Sequence, residues 1–282
     1  MNTKQKKHGS EKNVQMVCRI FCYLYVLITI YPILFVMLTS FKPTSEFYTN
    51  IWGLPQKWAW ENYYMAWETA HIAEYMKNSL IVVVITLLIT LIVGALAGYA
   101  LSRFKIRYAE VIMMVILFCT MIPSEAVLMP MYTMISSMKL TASYLSLILP
   151  YIGWGLPMTT YIFRNYFDTL PGELLEAARI DGCSEAKTFL NISVPLMMPA
   201  IATNAIFLFV SWWGELLWAS VELSSSTMKT IPIGLVSFSS AFGTDWGALS
   251  AAICIVLIPV TVFFLFVQKY FISGLTGGAV KG

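Results

Sequence analysis

The side chains that most often carry chemistry are sparse in this sequence. Its two histidines, His8 and His71, stand far apart in polar segments, so neither a zinc site nor a histidine base is encoded. The five cysteines, Cys18, Cys22, Cys119, Cys183 and Cys254, are odd in number and form no C-x-x-C pair. Four lie in or beside apolar runs, where a thiol reads as a small packing residue. No G-x-x-x-x-G-K-[ST] stretch occurs, so the chain carries no P-loop for ATP. What remains is two carboxylates set inside apolar runs, Glu125 and Glu215, and one charged stretch. That stretch runs Leu174-Leu175-Glu176-Ala177-Ala178-Arg179-Ile180-Asp181-Gly182 and is followed after nine residues by Ile192-Ser193-Val194-Pro195.

Each has a definite physical reading. A charge at the centre of a bilayer costs about 2.5–3.5 kcal/mol on insertion scales. Glu125 and Glu215 are therefore expected to face protein or water, either as pathway groups or as structural pairs. The charged stretch has the signals of a capped helix. Pro171 suits a first turn and Glu173 suits the positive end of the dipole. Leu174, Ala177 and Ala178 repeat at helical spacing, as do Leu175, Ala178 and Arg179. Gly182 fits the position after the helix, where a positive φ is needed. Ser184 can cap a second helix with Glu185 in its first turn, and Phe189 and Ile192 give that helix an apolar side. The pair reads as a docking surface or as an ordinary amphipathic loop.

The elements that must position these residues are apolar. Of 282 residues, 58% are hydrophobic and 12% charged, with mean hydropathy +0.72. Soluble domains carry about 25% charged residues, so much of this surface faces lipid. Six runs are long enough to span: 17–39, 79–101, 109–134, 142–163, 194–221 and 246–267. They leave an N-terminal tail at 1–16, a charged loop at 164–193 and a C-terminal tail at 268–282, around a single transmembrane domain over 17–267. Counting Arg19 at the start of the first run with the N-terminal tail, thirteen of the 18 Lys and Arg lie in the tails and in the connections holding Arg103 and Arg179. By the positive-inside rule those segments, both termini included, are cytoplasmic. The first run is too long for a cleaved signal sequence and lacks its small-residue site. The outer connection 40–78 is rich in rings, among them Phe47, Trp52, Trp58, Trp60 and Trp67. They suit an interfacial belt or a surface touched by an external partner. Gly94 and Gly98 permit close helix approach, read as packing within the chain. In the fourth run, Pro150, Gly153, Gly155 and Pro157 point to a kinked or locally unwound helix beside a cavity.

Glu176-Ala177-Ala178, Gly182, Ile192 and Val194-Pro195 resemble the EAA motif of ABC-importer permeases, with Val194 where the family usually has Leu. Ser40-Phe41-Lys42-Pro43, Asn78-Ser79-Leu80, Tyr99-Ala100-Leu101-Ser102-Arg103-Phe104, Met121-Ile122-Pro123 and Pro130-Met131-Tyr132 resemble the sugar-importer branch. The tail from Gln268 to Gly282 is similar to that of its MalG-like half. The resemblance implies an all-α membrane protein of six transmembrane helices with a cytoplasmic coupling-helix loop, the type I permease fold. It implies a permease that is not an enzyme and holds no cofactor. Its partners would be a second, MalF-like permease, two cytoplasmic ATPase subunits holding ATP and Mg, and an external solute-binding protein that delivers a sugar across a bacterial cytoplasmic membrane. No nucleic acid is implied.

Glu176, Ala177, Ala178, Arg179, Asp181 and Gly182 would dock on the ATPase. Gly277, Gly278, Ala279, Val280 and Lys281 would reach the ATPase interface. Glu125, Tyr151, Trp154 and Glu215 would line the pathway, the two rings either stacking on sugar or packing. Ser239, Ser240, Ala241 and Phe242 would meet the binding protein. A stand-alone carrier driven by an ion gradient is the alternative from another class.

Overall fold

Lipid offers backbone groups no partner, so each apolar run must close its own hydrogen bonds as helix. The computed structural model, which describes residues 2–224, 226–240 and 243–279, is accordingly helical almost throughout. Helices of nine residues or more are α1 (Asn2–Thr39), α2 (Ile72–Arg103), α3 (Ala109–Cys119), α4 (Leu128–Ser137), α5 (Tyr144–Thr169), α6 (Gly172–Ile180), α7 (Met198–Trp213) and α8 (Trp246–Ala279). The strand content of the described residues is one two-residue antiparallel ladder, Ser239–Ser240 with Gly243–Thr244. The chain is an all-α membrane protein.

Among the described residues, four segments are long and apolar enough to cross a bilayer: Gln15–Thr39, Ile72–Arg103, Met198–Glu222 and Trp246–Tyr270. The run expected at 109–134 is not straight. It is two helical pieces, Ala109–Cys119 and Ser124–Ser137, meeting at 84°, and counts as a fifth span if they are one. Pro123 explains the break, because it has no N–H to give and biases Ile122 away from helical backbone. The run expected at 142–163 forms α5. At 26 residues it is long enough to span, but Ser146, Thr159, Thr160 and two prolines dilute its apolarity. Those polar side chains are buried in protein, where lipid does not have to tolerate them.

The chain divides into two compact units: residues up to Ala70 with Ser237–Ile255, and His71–Val236 with the segment from Val256 on. In the first unit, an 18-residue apolar window of α1 has none of its residues buried. The connection after α1 is folded on polar hinges. Lys42, 1% exposed, donates from Nζ to the carbonyls of Asn50 (2.7 Å) and Ile51 (3.0 Å). Asn62 Nδ2 donates to Ser40 O and Lys42 O, both at 2.9 Å. Phe41 sits among Trp58, Trp60 and Tyr63, while Trp52 packs on Tyr31 and Phe35 of α1. Thr44 Oγ1 donates to Asp245 at 2.5 Å, just before α8.

The second unit is organised by α2 against α5, its most extensive helix pairing. Small residues allow the approach. A Cβ on Gly94 would lie 2.4 Å from Thr159 Cγ2, and one on Gly98 would lie 2.9 Å from the backbone nitrogen of Arg164. The G-x-x-x-G spacing is thus used within the chain. α5 is helical without a gap through both prolines, so the unwound form expected there does not occur. The reason is a contact from far along the chain. Pro150 cannot donate to Ser146 O, and the indole Nε1 of Trp218 takes that place at 3.0 Å.

Candidate functional site

The charged stretch folds as two short helices joined at a sharp corner. α6 follows Pro171, which stands before the first turn at φ −56° and ψ 126° rather than inside it. Its end is a Schellman motif: Gly182 N–H donates to Arg179 O (3.1 Å), and Cys183 N–H to Ala178 O (2.9 Å). Gly182 has the φ of +78° that this closure demands. Ser184 Oγ then accepts from Lys187 N–H and caps the helix Glu185–Thr188. A π-turn over Phe189–Ser193 leads into Val194–Leu196 and α7.

α6 has two faces. Leu175 and Ala178 are buried at 3% and 4% exposure, whereas Glu176, Ala177, Asp181 and Gly182 are exposed, and Ile180 reaches 86%. The two neighbouring alanines therefore split, Ala178 packing inward and Ala177 facing out. Arg179 is also engaged within the chain, its Nε 2.8 Å from Glu185 Oε1. The other oxygen of Glu185 accepts from Tyr99 OH at 3.1 Å. The guanidinium holds the Glu185 carboxyl below the usual carboxylate range, and the carboxylate in turn raises Arg179.

Tyr99 is 5% exposed, with its ring against Phe104, Phe167 and Phe189 at 6.0, 5.3 and 5.0 Å. Beside it, Arg103 donates to the carbonyls of Phe167 and Leu170 and so satisfies the open end of α5. Ser102 Oγ donates to Asp168 at 2.5 Å. Sequence reasoning missed Tyr99, Ser102, Arg103 and Glu185. Tyr99 to Phe104 stood out as a motif, but the hydrogen-bond partners that explain it come from 64 or more residues later.

A second constellation lies where α5 meets the break after α7. Tyr151, 2% exposed, donates to Glu215 Oε2 at 2.5 Å and stacks on Trp212 at 4.7 Å and 6°. Glu215 also accepts from the N–H groups of Trp218 (2.7 Å) and Ala219 (3.0 Å), starting the helix Leu217–Glu222. A cavity of about 170 Å³ opens here, walled by Ser124, Trp154, Trp212, Glu215 and Trp218. The buried indole N–H of Trp212 has no partner among the described residues. The structure thus joins Tyr151, Trp154 and Glu215. It leaves Glu125 exposed on the turn Ser124–Val127.

Of the outer loop, Ser239 Oγ meets Thr244 Oγ1 at 3.1 Å and Ser240 pairs with Gly243 through the backbone. Ala241 and Phe242 lie outside the described residues. Gly277, Gly278 and Ala279 are in the last turn of α8, and Val280 and Lys281 lie outside the described residues.

Apolar spanning helices, a cavity that holds the Glu215 carboxylate among tryptophans, and a compact charged helix corner are the features of a polytopic membrane component of the transport class. The chain belongs to the family of binding-protein-dependent transport system inner membrane components, whose profile matches residues 90–277. It is 34% identical over 281 residues to the arabinooligosaccharides transport system permease protein AraQ of Bacillus subtilis, covering 98% of this chain and 99% of that one. It is 33% identical over 265 residues to the trehalose/maltose transport system permease protein MalG of Thermococcus litoralis, covering 92% and 94%. In fold it is similar to a chain of a bacterial ABC transporter involved in import of the acidic polysaccharide alginate. That likeness has a TM-score of 0.76 and 22% identity, over 93% of this chain and 98% of that one. The protein is therefore a multi-pass cytoplasmic-membrane permease of the ABC importer type.

Proposed function

We propose that this chain is the MalG-like membrane half of an ATP-driven importer that passes a sugar or oligosaccharide delivered by an external binding protein. The observation that carries the reading is the division of α6, with Leu175 and Ala178 holding it to the fold while Glu176, Ala177 and Ile180 stay free for another protein. That protein is a cytoplasmic ATPase subunit, one of two, which holds the ATP and Mg that this chain has no motif to bind. The Lys and Arg asymmetry supports cytoplasmic termini and a cytoplasmic α6. Asp181 and Gly182 close the docking corner, and Arg179 braces it through Glu185. The tail from Gly277 to Lys281 adds a second contact with the ATPase pair, and Ser239 to Phe242 one with the binding protein.

The cavity at Tyr151, Trp154 and Glu215 contributes to the sugar path, shared with a second, MalF-like permease. Indole faces suit the C–H face of a pyranose, and the unpartnered Trp212 N–H suits a hydroxyl. Glu125 lies on the same path, next to Ser124 in the cavity wall. The sugar class is supported by the arabinooligosaccharides and trehalose/maltose transport permeases to which the chain is similar.

Glu176→Ala in the reconstituted complex tests the reading. ATP turnover stimulated by the binding protein should fall about tenfold, in the range of ordinary inter-site coupling, with thermal unfolding of the permease unchanged. Wild-type turnover would overturn it.

A further inference from the structure

We propose that Glu185 is a positioning residue that transmits the displacement of α6 to the spanning helix α2, through Arg179 on one carboxylate oxygen and Tyr99 on the other. The proposal rests on the reading of α6 as the ATPase-docking helix. α6 continues covalently from α5 through Leu170-Pro171, where Arg103 of α2 holds Leu170 O, and the tie from the far end of α6 to α2 runs across Glu185. Arg179 Nε is 2.8 Å from one oxygen and Tyr99 OH 3.1 Å from the other, so a single carboxylate bridges the two helices.

Each side of the bridge is stiff. On the α6 side, the Schellman closure at Gly182 and Cys183 and the Ser184 cap fix Glu185 at the first turn of the next helix. On the α2 side, Tyr99 is wedged among Phe104, Phe167 and Phe189, one turn before the end of its helix at Arg103. Movement of the corner therefore bears on Tyr99, whose buried ring passes it to α2. An apolar groove of about 600 Å³, walled by Leu91, Leu96, Tyr99, Phe104, Glu185 and Phe189, lies along the same joint and leaves it room to move. The ion pair itself is half exposed, at 46% and 44% for the two side chains. Exposed pairs contribute little to folding, so holding register is the role this geometry suits, and variants should fold.

The test uses the full complex of both permeases, the ATPase and the binding protein in proteoliposomes. An environment-sensitive fluorophore on Leu96→Cys of α2, in a background free of the native cysteines, reports its response to ATP. Glu185→Lys and, separately, Tyr99→Phe should each reduce that response about fivefold, the size of coupling changes seen along such networks. Adding Arg179→Glu to Glu185→Lys restores an opposite-charge pair and should recover the response to within about twofold. Thermal unfolding of the complex should stay unchanged across these variants while the response moves, which a purely structural ion pair would not give. If Glu185→Lys and Tyr99→Phe both respond like wild type, or the charge swap recovers nothing, the transmission role is overturned. Glu176→Ala separates the two levels of the argument. Loss of ATPase docking there, with normal responses in the Glu185 and Tyr99 variants, removes this inference alone. Undiminished docking and response in Glu176→Ala removes the underlying reading and this inference with it.

Discussion

Three carboxylates of the second unit meet three different fates. Glu215 accepts three hydrogen bonds, from Tyr151 OH and from two backbone N–H groups that open the Leu217–Glu222 helix. It therefore anchors structure first, with its remaining lone pair left to the cavity. Glu215→Ala should cost about 1–3 kcal/mol, since it leaves buried donors unpartnered. Glu215→Gln should cost less, because an amide oxygen still accepts; thermal unfolding in detergent would separate the two. Glu125 is exposed, and Glu125→Gln should shift stability by less than about 0.5 kcal/mol in the same measurement. Glu222 is 2% exposed, and neither of its oxygens has a well-formed hydrogen bond. Glu125 and Glu215 looked alike in the sequence, both being acids set in apolar runs. What separates them is Tyr151, 64 residues before Glu215. No local pattern announces that contact, so the sequence narrowed the candidates without ranking them.

At the scale of the element, close approach and corner geometry decide the outcome. α2 lies against α5 because Gly94 and Gly98 carry no side chain. Gly98→Val would push a Cβ toward the Arg164 backbone nitrogen, 2.9 Å away, and toward Phe163. Overpacking of this kind costs about 1–3 kcal/mol, to be read as a lowered unfolding temperature and reduced yield in membranes. The α6 corner was the most legible element, since Gly182, Ser184 and Glu185 are local signals acting on neighbours. The bend at Pro123 and the continuity of α5 were less legible. A proline either breaks a helix or is rescued, and the rescue of Pro150 depends on Trp218, 72 residues from the carbonyl it satisfies. The corner also has a pH dependence with a definite sign. Glu185 is held below its ordinary value by Arg179. Its contribution is therefore complete above the unfolded value of about 4.3 and is lost as pH falls through the lower folded value. A fluorophore on exposed Leu190→Cys should report loosening of the corner only on acidification below about pH 4. The same titration in Glu185→Gln should be flat.

At the scale of the whole molecule, hydropathy made the class readable, because lipid forces long apolar runs into helices whatever their partners. It could not separate lipid contact from protein contact. The apolar window of α1 is unburied, against 39% buried in that of α2, so two runs that read alike differ in how much of each this chain itself covers. Orientation is the property on which the coupling argument finally depends, since an ATPase works only where ATP is. Thirteen Lys and Arg lie in the segments assigned to the cytoplasm and five outside. One of those five, Lys42, is buried with its ammonium held by two carbonyls, so it belongs to the fold of the outer connection rather than to a charged surface. Removing it from the count makes the asymmetry steeper. A chain freed of its native cysteines and given one new cysteine tests the assignment directly, at Gln56 after α1 or at Ala186 beyond α6. Both positions are exposed. A membrane-impermeant maleimide should label Gln56→Cys from outside the cytoplasmic membrane of intact cells, and Ala186→Cys only in inside-out vesicles. Labelling of Ala186→Cys from outside would put α6 where no ATP is available and would end the assignment of that helix to an ATPase. The predicted pattern places α6, the Arg179–Glu185–Tyr99 bridge and the ends of α2 and α5 on the side where ATP is hydrolysed, as the proposed coupling requires.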